Sequence, residues 1–193
     1  MHNYKIFQYL STESIEPREF LRYCFGIDKF TSEAILEEEI RFGYSTRCIN
    51  LISKLLGMQK KTVREWGDNP NFEGMPQHAR KTCSYAQIAL SPKVLTGIAS
   101  RRDYTAPRLS AMQFVEETLL NGLSPSERLK EVSSTKFRGQ YLTLLSETLK
   151  ISKRTIYLWG TDIELPKMPK YHQHTLAYAF AAYRKKQQQS IAA

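Results

Sequence analysis

The sequence predicts an all-α fold of two tandem homologous helical units, each a small bundle, on three observations. First, Leu51, Ser53, Leu56, Lys60, Thr62, Trp66, Gly67, Met75, Pro76, Thr82, Tyr85, Ala86 and Ala89 recur 93 positions later, without a gap, as Leu144, Ser146, Leu149, Lys153, Thr155, Trp159, Gly160, Met168, Pro169, Thr175, Tyr178, Ala179 and Ala182. Second, apolar residues recur at helical spacing through almost every segment. Third, a chain of 193 residues with 41% hydrophobic and 24% charged residues is long enough for two small cores.

Residues 1–16 form an N-terminal segment. Its stretch MHNYKIFQYLSTES lacks the ordered charged and apolar regions of a signal peptide, and no apolar run approaches the roughly 18 to 20 residues that span a bilayer. A cytoplasmic protein without a membrane partner is therefore expected, nucleoid-associated if prokaryotic. The first unit covers 17–90. Pro17 suits a first helical turn, and Phe20, Leu21, Cys24 and Phe25 follow at helical spacing. The second unit, 111–184, echoes this with Phe114, Val115, Thr118 and Leu119 after Ser110. Thr31 and Ser124 then cap a further pair of helices, the first with Ala34 and Ile35, the second with Leu129 and Val132. Within the first of these, Glu37, Glu38 and Glu39 read as a solvated helical face.

Residues 91–110, with two prolines, a glycine and the pair Arg101 and Arg102, form a basic linker, a solvated connector whose arginines are candidates to lie along a phosphate backbone. Residues 185–193 continue the last helix and fray. Cys24, Cys48 and Cys83 are odd in number and lack CxxC spacing, which points to free, buried thiols in a reducing compartment.

The net charge of +9 suggests a polyanionic partner, and its distribution says more. Residues 1–40 carry −4, residues 41–90 carry +5, residues 91–110 carry +3, residues 111–150 are neutral and residues 151–193 carry +5. Positive charge thus collects where the repeat is most faithful. There, Ile52, Leu56, Met58, Val63 and Trp66 are spaced so that two short helices face each other, with the small Ser53 permitting close approach. Gly57 sits where the turn needs positive φ. In the second copy Leu145, Ser146, Leu149, Ile151, Ile156 and Trp159 fill the same places, but Lys150 replaces the glycine, so a strained or slightly different turn is expected. Both tryptophans belong on the inward face, in the core.

This stretch of roughly 20 residues in each repeat resembles the helix-turn-helix DNA-binding superfamily. The duplicated arrangement is similar to bipartite DNA-binding regions such as those of paired-type proteins and transposase amino-terminal regions. The resemblance implies sequence-specific binding to double-stranded DNA, with base edges contacted from the start and outer face of each second helix. By position those residues are Gln59, Lys60, Lys61 and Arg64, then Ser152, Lys153, Arg154 and Tyr157. Side-chain chemistry assigns roles: Arg64 and Arg154 offer paired donors to guanine, Gln59 suits adenine, and Lys60, Lys61 and Lys153 serve guanine or phosphate. Thr62 and Thr155 divide evenly between bonding a phosphate and satisfying their own helix. The helices after Pro76 and Pro169 brace these elements, and Arg80, Lys81 and Lys170, with His78, His172 and His174, lie near their amino ends as candidate phosphate contacts.

No HxxxH pair, cysteine cluster, Gly-rich phosphate loop, GxSxG or HExxH signature is present, so neither a metal, a cofactor nor an enzyme is expected. The expected function is transcriptional regulation by two linked DNA-reading units, with the acidic N-terminal region available to a protein partner. The alternatives are a helical protein-interaction adaptor, or a DNA-binding accessory factor for replication, segregation or a mobile element.

Overall fold

A computed structural model describes residue 10 and residues 13–67 and 70–192; most of the N-terminal segment 1–16 therefore lies outside the described residues. The described residues are all-helical, with no strand. The helices run α1 (Pro17–Phe25), α2 (Ser32–Ile40), α3 (Tyr44–Leu56), α4 (Lys60–Arg64), α5 (Gln77–Ala89), α6 (Pro92–Ser100), α7 (Ala111–Thr118), α8 (Pro125–Val132), α9 (Phe137–Leu149), α10 (Lys153–Tyr157) and α11 (Lys170–Ala192). None is long and apolar enough to cross a membrane.

Local chemistry sets most of the boundaries. Pro17, Pro92 and Pro125 stand in first turns, where a missing N–H is harmless. Thr31 accepts a bond from the Ala34 amide, and Ser124 forms a reciprocal capping box with Glu127, as their spacing predicts. α3 buries Tyr44, Cys48, Leu51, Ile52 and Leu55 along one stripe. Each large apolar side chain withdrawn from water in this way stabilises the fold by about 1.5–3 kcal/mol.

The bounds of α3 and α4 recur 93 residues on in α9 and α10, and α5 and α11 begin 93 residues apart. Their buried side chains join a single hydrophobic core running from Leu10 to Tyr183. At its centre α5 packs on α11, the most extensive helix pairing in the molecule. There the Thr82 and Thr175 hydroxyls share a buried hydrogen bond of 2.7 Å, and the His78 and Tyr171 rings stack at 5.3 Å. Both pairs join a residue to the one 93 positions later, one helical turn apart, so the two helices run side by side in the same direction.

Two expectations are corrected. The 91–110 stretch is not a solvated connector: α6 occupies its first half, buries Leu95, Ile98 and Ala99, and packs on α1 and α3. Pro92 excludes helical backbone from Ser91, which breaks α5 from α6 at a place where α11 simply continues. The 185–193 tail continues α11 as helix through Ala192. Finally, the acidic run of α2 does more than face water. Glu39, its side chain 4% exposed, accepts from Arg18 and Arg22, while Glu38 pairs with Arg41 and Arg47. The two guanidiniums hold the Glu39 carboxyl below its ordinary pKa against the opposing effect of burial. These pairs tie down a helix that buries no residue and leaves Leu36, Ile40 and the neighbouring Phe42 exposed.

The three cysteines are free and buried, and burial pushes the Cys48 and Cys83 thiols up to about 12. Thiols held protonated in this way are poor nucleophiles.

Candidate nucleic-acid interface

The two turns are built by the same bonds. α3 ends in Gly57 at φ 62°, and the Met58 amide bonds back to the Ser53 carbonyl at 3.0 Å. α9 ends in Lys150 at φ 52°, and the Ile151 amide reaches the Ser146 carbonyl at 3.3 Å. Ser53 donates its hydroxyl to the Met58 carbonyl at 2.5 Å, and Ser146 does the same to Ile151 at 2.6 Å. The recurring serine is therefore a bonded clasp across the turn as well as a small residue. Lys150 adopts the left-handed conformation expected at its position, in the same turn.

Beyond each turn stands a five-residue helix, α4 or α10, pinned by one fully buried side chain, Val63 or Ile156. Trp66 and Trp159 anchor the exits, 9% and 7% exposed, and so belong to the core. The loops that follow also match. The Trp66 carbonyl accepts from the Gly74 amide and that of Trp159 from the Lys167 amide, while Phe72 and Leu165 both take positive φ.

With the inward side fixed, the outward residues are those the motif places there. Gln59, Lys60, Lys61 and Arg64 are exposed, as are Ser152, Lys153, Arg154 and Tyr157; Thr62 and Thr155 are half-buried. Among the described residues, Lys60, Lys61, Arg64 and Arg154 form no ion pair. The second face is more internally bonded. Ser152 caps α10 by accepting from the Thr155 amide, Lys153 donates to the Thr143 hydroxyl at 2.7 Å, and the Arg138 guanidinium lies 5.0 Å over the Tyr157 ring. Arg138 escapes the motif reading because it sits on α9, 19 positions before the ring it covers; only packing brings it to this face.

The remaining candidates separate sharply. Arg101 and Arg102 follow the end of α6 and are exposed, and Lys170 is exposed at the start of α11. Arg80 is committed elsewhere: it pairs with Glu16 at 2.6 Å and donates to the Met75 and Glu73 carbonyls. Lys81 is fully buried, its ammonium 5.1 Å from the Tyr85 ring, and burial lowers its pKa to about 8. Neither is placed for a phosphate: Arg80 is taken up by Glu16 and the two carbonyls, and Lys81 is buried beside the packing of α5 on α11. That packing also encloses the histidines. His172 and His174 are each 2% exposed, and burial lowers the pKa of His78, of His174 and, to about 3, of His172.

Lys54 is a further residue that the motif alone does not reveal. It reaches from α3 to the end of α6, where its ammonium donates to the Ile98 and Ala99 carbonyls at 3.0 and 2.9 Å and to that of Arg101. A cation satisfying orphan carbonyls at a helix C-terminus is favourable for bonding and dipole alike. It fixes the stretch carrying Arg101 and Arg102 beside the first turn. No cluster of three or more metal-ligating side chains occurs among the described residues. No protein family, curated protein or solved structure matches this chain.

Proposed function

We propose that this chain binds double-stranded DNA sequence-specifically through α4 and α10, and that it acts as a transcriptional regulator. The observation that carries this reading is the repeated turn that holds Lys60, Lys61 and Arg64, and again Lys153 and Arg154, on exposed faces opposite buried Val63 and Ile156. A five-residue helix rises only about 7.5 Å. It presents few side chains to a groove, so each copy alone reads a short site and binds weakly. Two copies in one chain make the second contact intramolecular and multiply affinity. Arg101 and Arg102, steadied by Lys54, add phosphate contacts beside the first helix, and Arg138 adds one beside the second.

Binding to duplex DNA measured across a salt series tests this. Affinity is expected to fall steeply with salt, as several released counterions require. Arg64→Ala and Arg154→Ala should each weaken binding by about 1–3 kcal/mol and relax base preference locally. Absence of duplex binding at low salt, or unchanged affinity and preference in both variants, overturns the assignment.

A second reading, a helical protein adaptor, is favoured by α2 and α8. Neither buries a residue, and Leu36, Ile40 and Leu129 remain exposed on them. It gains if the duplex experiment fails. Replication, segregation and mobile-element accessory roles use the same interface chemistry and differ in the DNA addressed.

A further inference from the structure

We infer that an approximate two-fold axis relates the two reading helices, and that the DNA target carries two dissimilar half-sites in opposite orientation. This rests on the DNA-binding reading above and specifies its target. A two-fold arrangement leaves two marks: residues on the axis meet their own counterparts, and every off-axis contact of i with j is answered by the contact of their counterparts. A head-to-tail arrangement joins two different surfaces and leaves neither.

Both marks are present. Thr82 meets Thr175 at 2.7 Å, and His78 stacks on Tyr171. Off the axis, α11 packs on α3, and α5 packs on α9. The reciprocity reaches the turns themselves. His174 lies so close to Gly57 that a Cβ there would approach its Nε2 to 2.4 Å; the counterparts, Lys81 and Lys150, are near enough for their charges to interact. Contacts within each repeat keep the same order, with α4 on α3 and α10 on α9, α2 on α3 and α8 on α9.

The direction of the axis follows. Self-paired residues one turn apart place it along α5 and α11, which run the same way. Each turn lies beside the second turn of the other unit's bracing helix, at His174 or Lys81. The two turns thus stand at the same height on either flank, and α4 and α10 take equivalent places about the axis. When two such elements dock alike on one duplex, their axis coincides with a dyad of the DNA, and the half-sites are inverted. They are not identical, because only the lysine of each face is shared. Gln59, Lys61 and Arg64 in one face correspond to Ser152, Arg154 and Tyr157 in the other.

Selection of bound sequences from a random duplex library with the full chain, followed by alignment, tests the inference. The expected result is one chain per duplex on two different half-sites, inverted, with centres about one helical turn apart. Reversing one half-site should then weaken binding by roughly 100-fold or more, since the intramolecular gain is lost. Arg64→Ala should relax one half-site and Arg154→Ala the other. Half-sites in the same orientation, or a single half-site, overturn the two-fold inference while leaving DNA binding standing. A library that shows no enrichment at low salt removes the DNA-binding reading itself.

Discussion

The turns at residues 57–59 and 150–152 follow the same backbone course with different supports. In the first, Gly57 takes φ 62° without steric penalty, and the space a side chain would fill holds the His174 imidazole. No side chain caps the helix that follows it. In the second, Lys150 takes φ 52° against its Cβ, and Ser152 caps the next helix. Lys150 also pairs with Glu147 at 2.9 Å, whereas the residue 93 positions before Glu147, Lys54, caps α6 instead. One copy relies on a glycine and a packed neighbour, the other on a capping serine. The same shape therefore has different points of failure, and the turn with the better backbone residue is the less tolerant of substitution.

Substitution at the turn should show the largest asymmetry. Gly57→Ala introduces a Cβ at 2.4 Å from the His174 Nε2 and forces alanine into left-handed backbone. A loss of about 2–4 kcal/mol is expected by chemical denaturation, combining a conformational penalty of roughly 1–2 kcal/mol with overpacking. Lys150→Gly, at the matching position, should change stability by less than about 1 kcal/mol, in the stabilising direction. Adding His174→Ala to Gly57→Ala should recover part of the loss. Additive single effects would mean that His174 does not press on the first turn.

How much of this difference was legible in the sequence depends on how far apart the cooperating residues stand. The apolar residues facing each other around the two turns, the caps at Thr31 and Ser124 and the left-handed Lys150 are local, determined by neighbours within a few positions, and the sequence shows them. Glu39 needed Arg18 and Arg22 from another helix, and read alone it looked solvated. Lys81 and Lys153 are both lysines in basic stretches. Only the pairing of α5 with α11 makes the first a core residue and leaves the second on the surface. α6 carried its own signal in Leu95, Ile98 and Ala99, spaced for one helical face, but the prolines and arginines around it suggested a linker.

The acid limb of stability sharpens the comparison at the seam holding the two turns. His172 is neutral in the folded protein, its pKa lowered to about 3 by burial and by His78, against 6.5 when exposed. A base whose folded pKa is depressed leaves stability intact above pH 6.5 and removes it below, because the unfolded chain then binds the extra proton. Lowering the pH from 6.5 to 4.5 should remove roughly 2 kcal/mol through His172, with His78 and His174 acting in the same direction. His172→Gln should make that limb shallower. Identical acid limbs in the two proteins would show that its protonation is not what destabilises the fold.

The smallest expected effects concern the caps, and they ask whether α4 and α10 can be made alike. Ser152 satisfies the Thr155 amide at 3.1 Å, so Ser152→Ala should cost about 1 kcal/mol. Gln59 has extended backbone suited to a cap, but its side chain makes no capping bond. The residues around it match those around Ser152 at Lys60 and Thr62, so a serine at 59 finds the Thr62 amide where Ser152 finds that of Thr155. Gln59→Ser should therefore stabilise by a few tenths to about 1 kcal/mol, read as a rise in the denaturation midpoint at constant slope. Because Gln59 also stands on the proposed DNA face, the same substitution should alter base preference in one half-site while raising stability. A stabilised protein with unchanged preference would confine Gln59 to a structural role, and a protein with no stability gain would mean that α4 has already satisfied its first amides by other means.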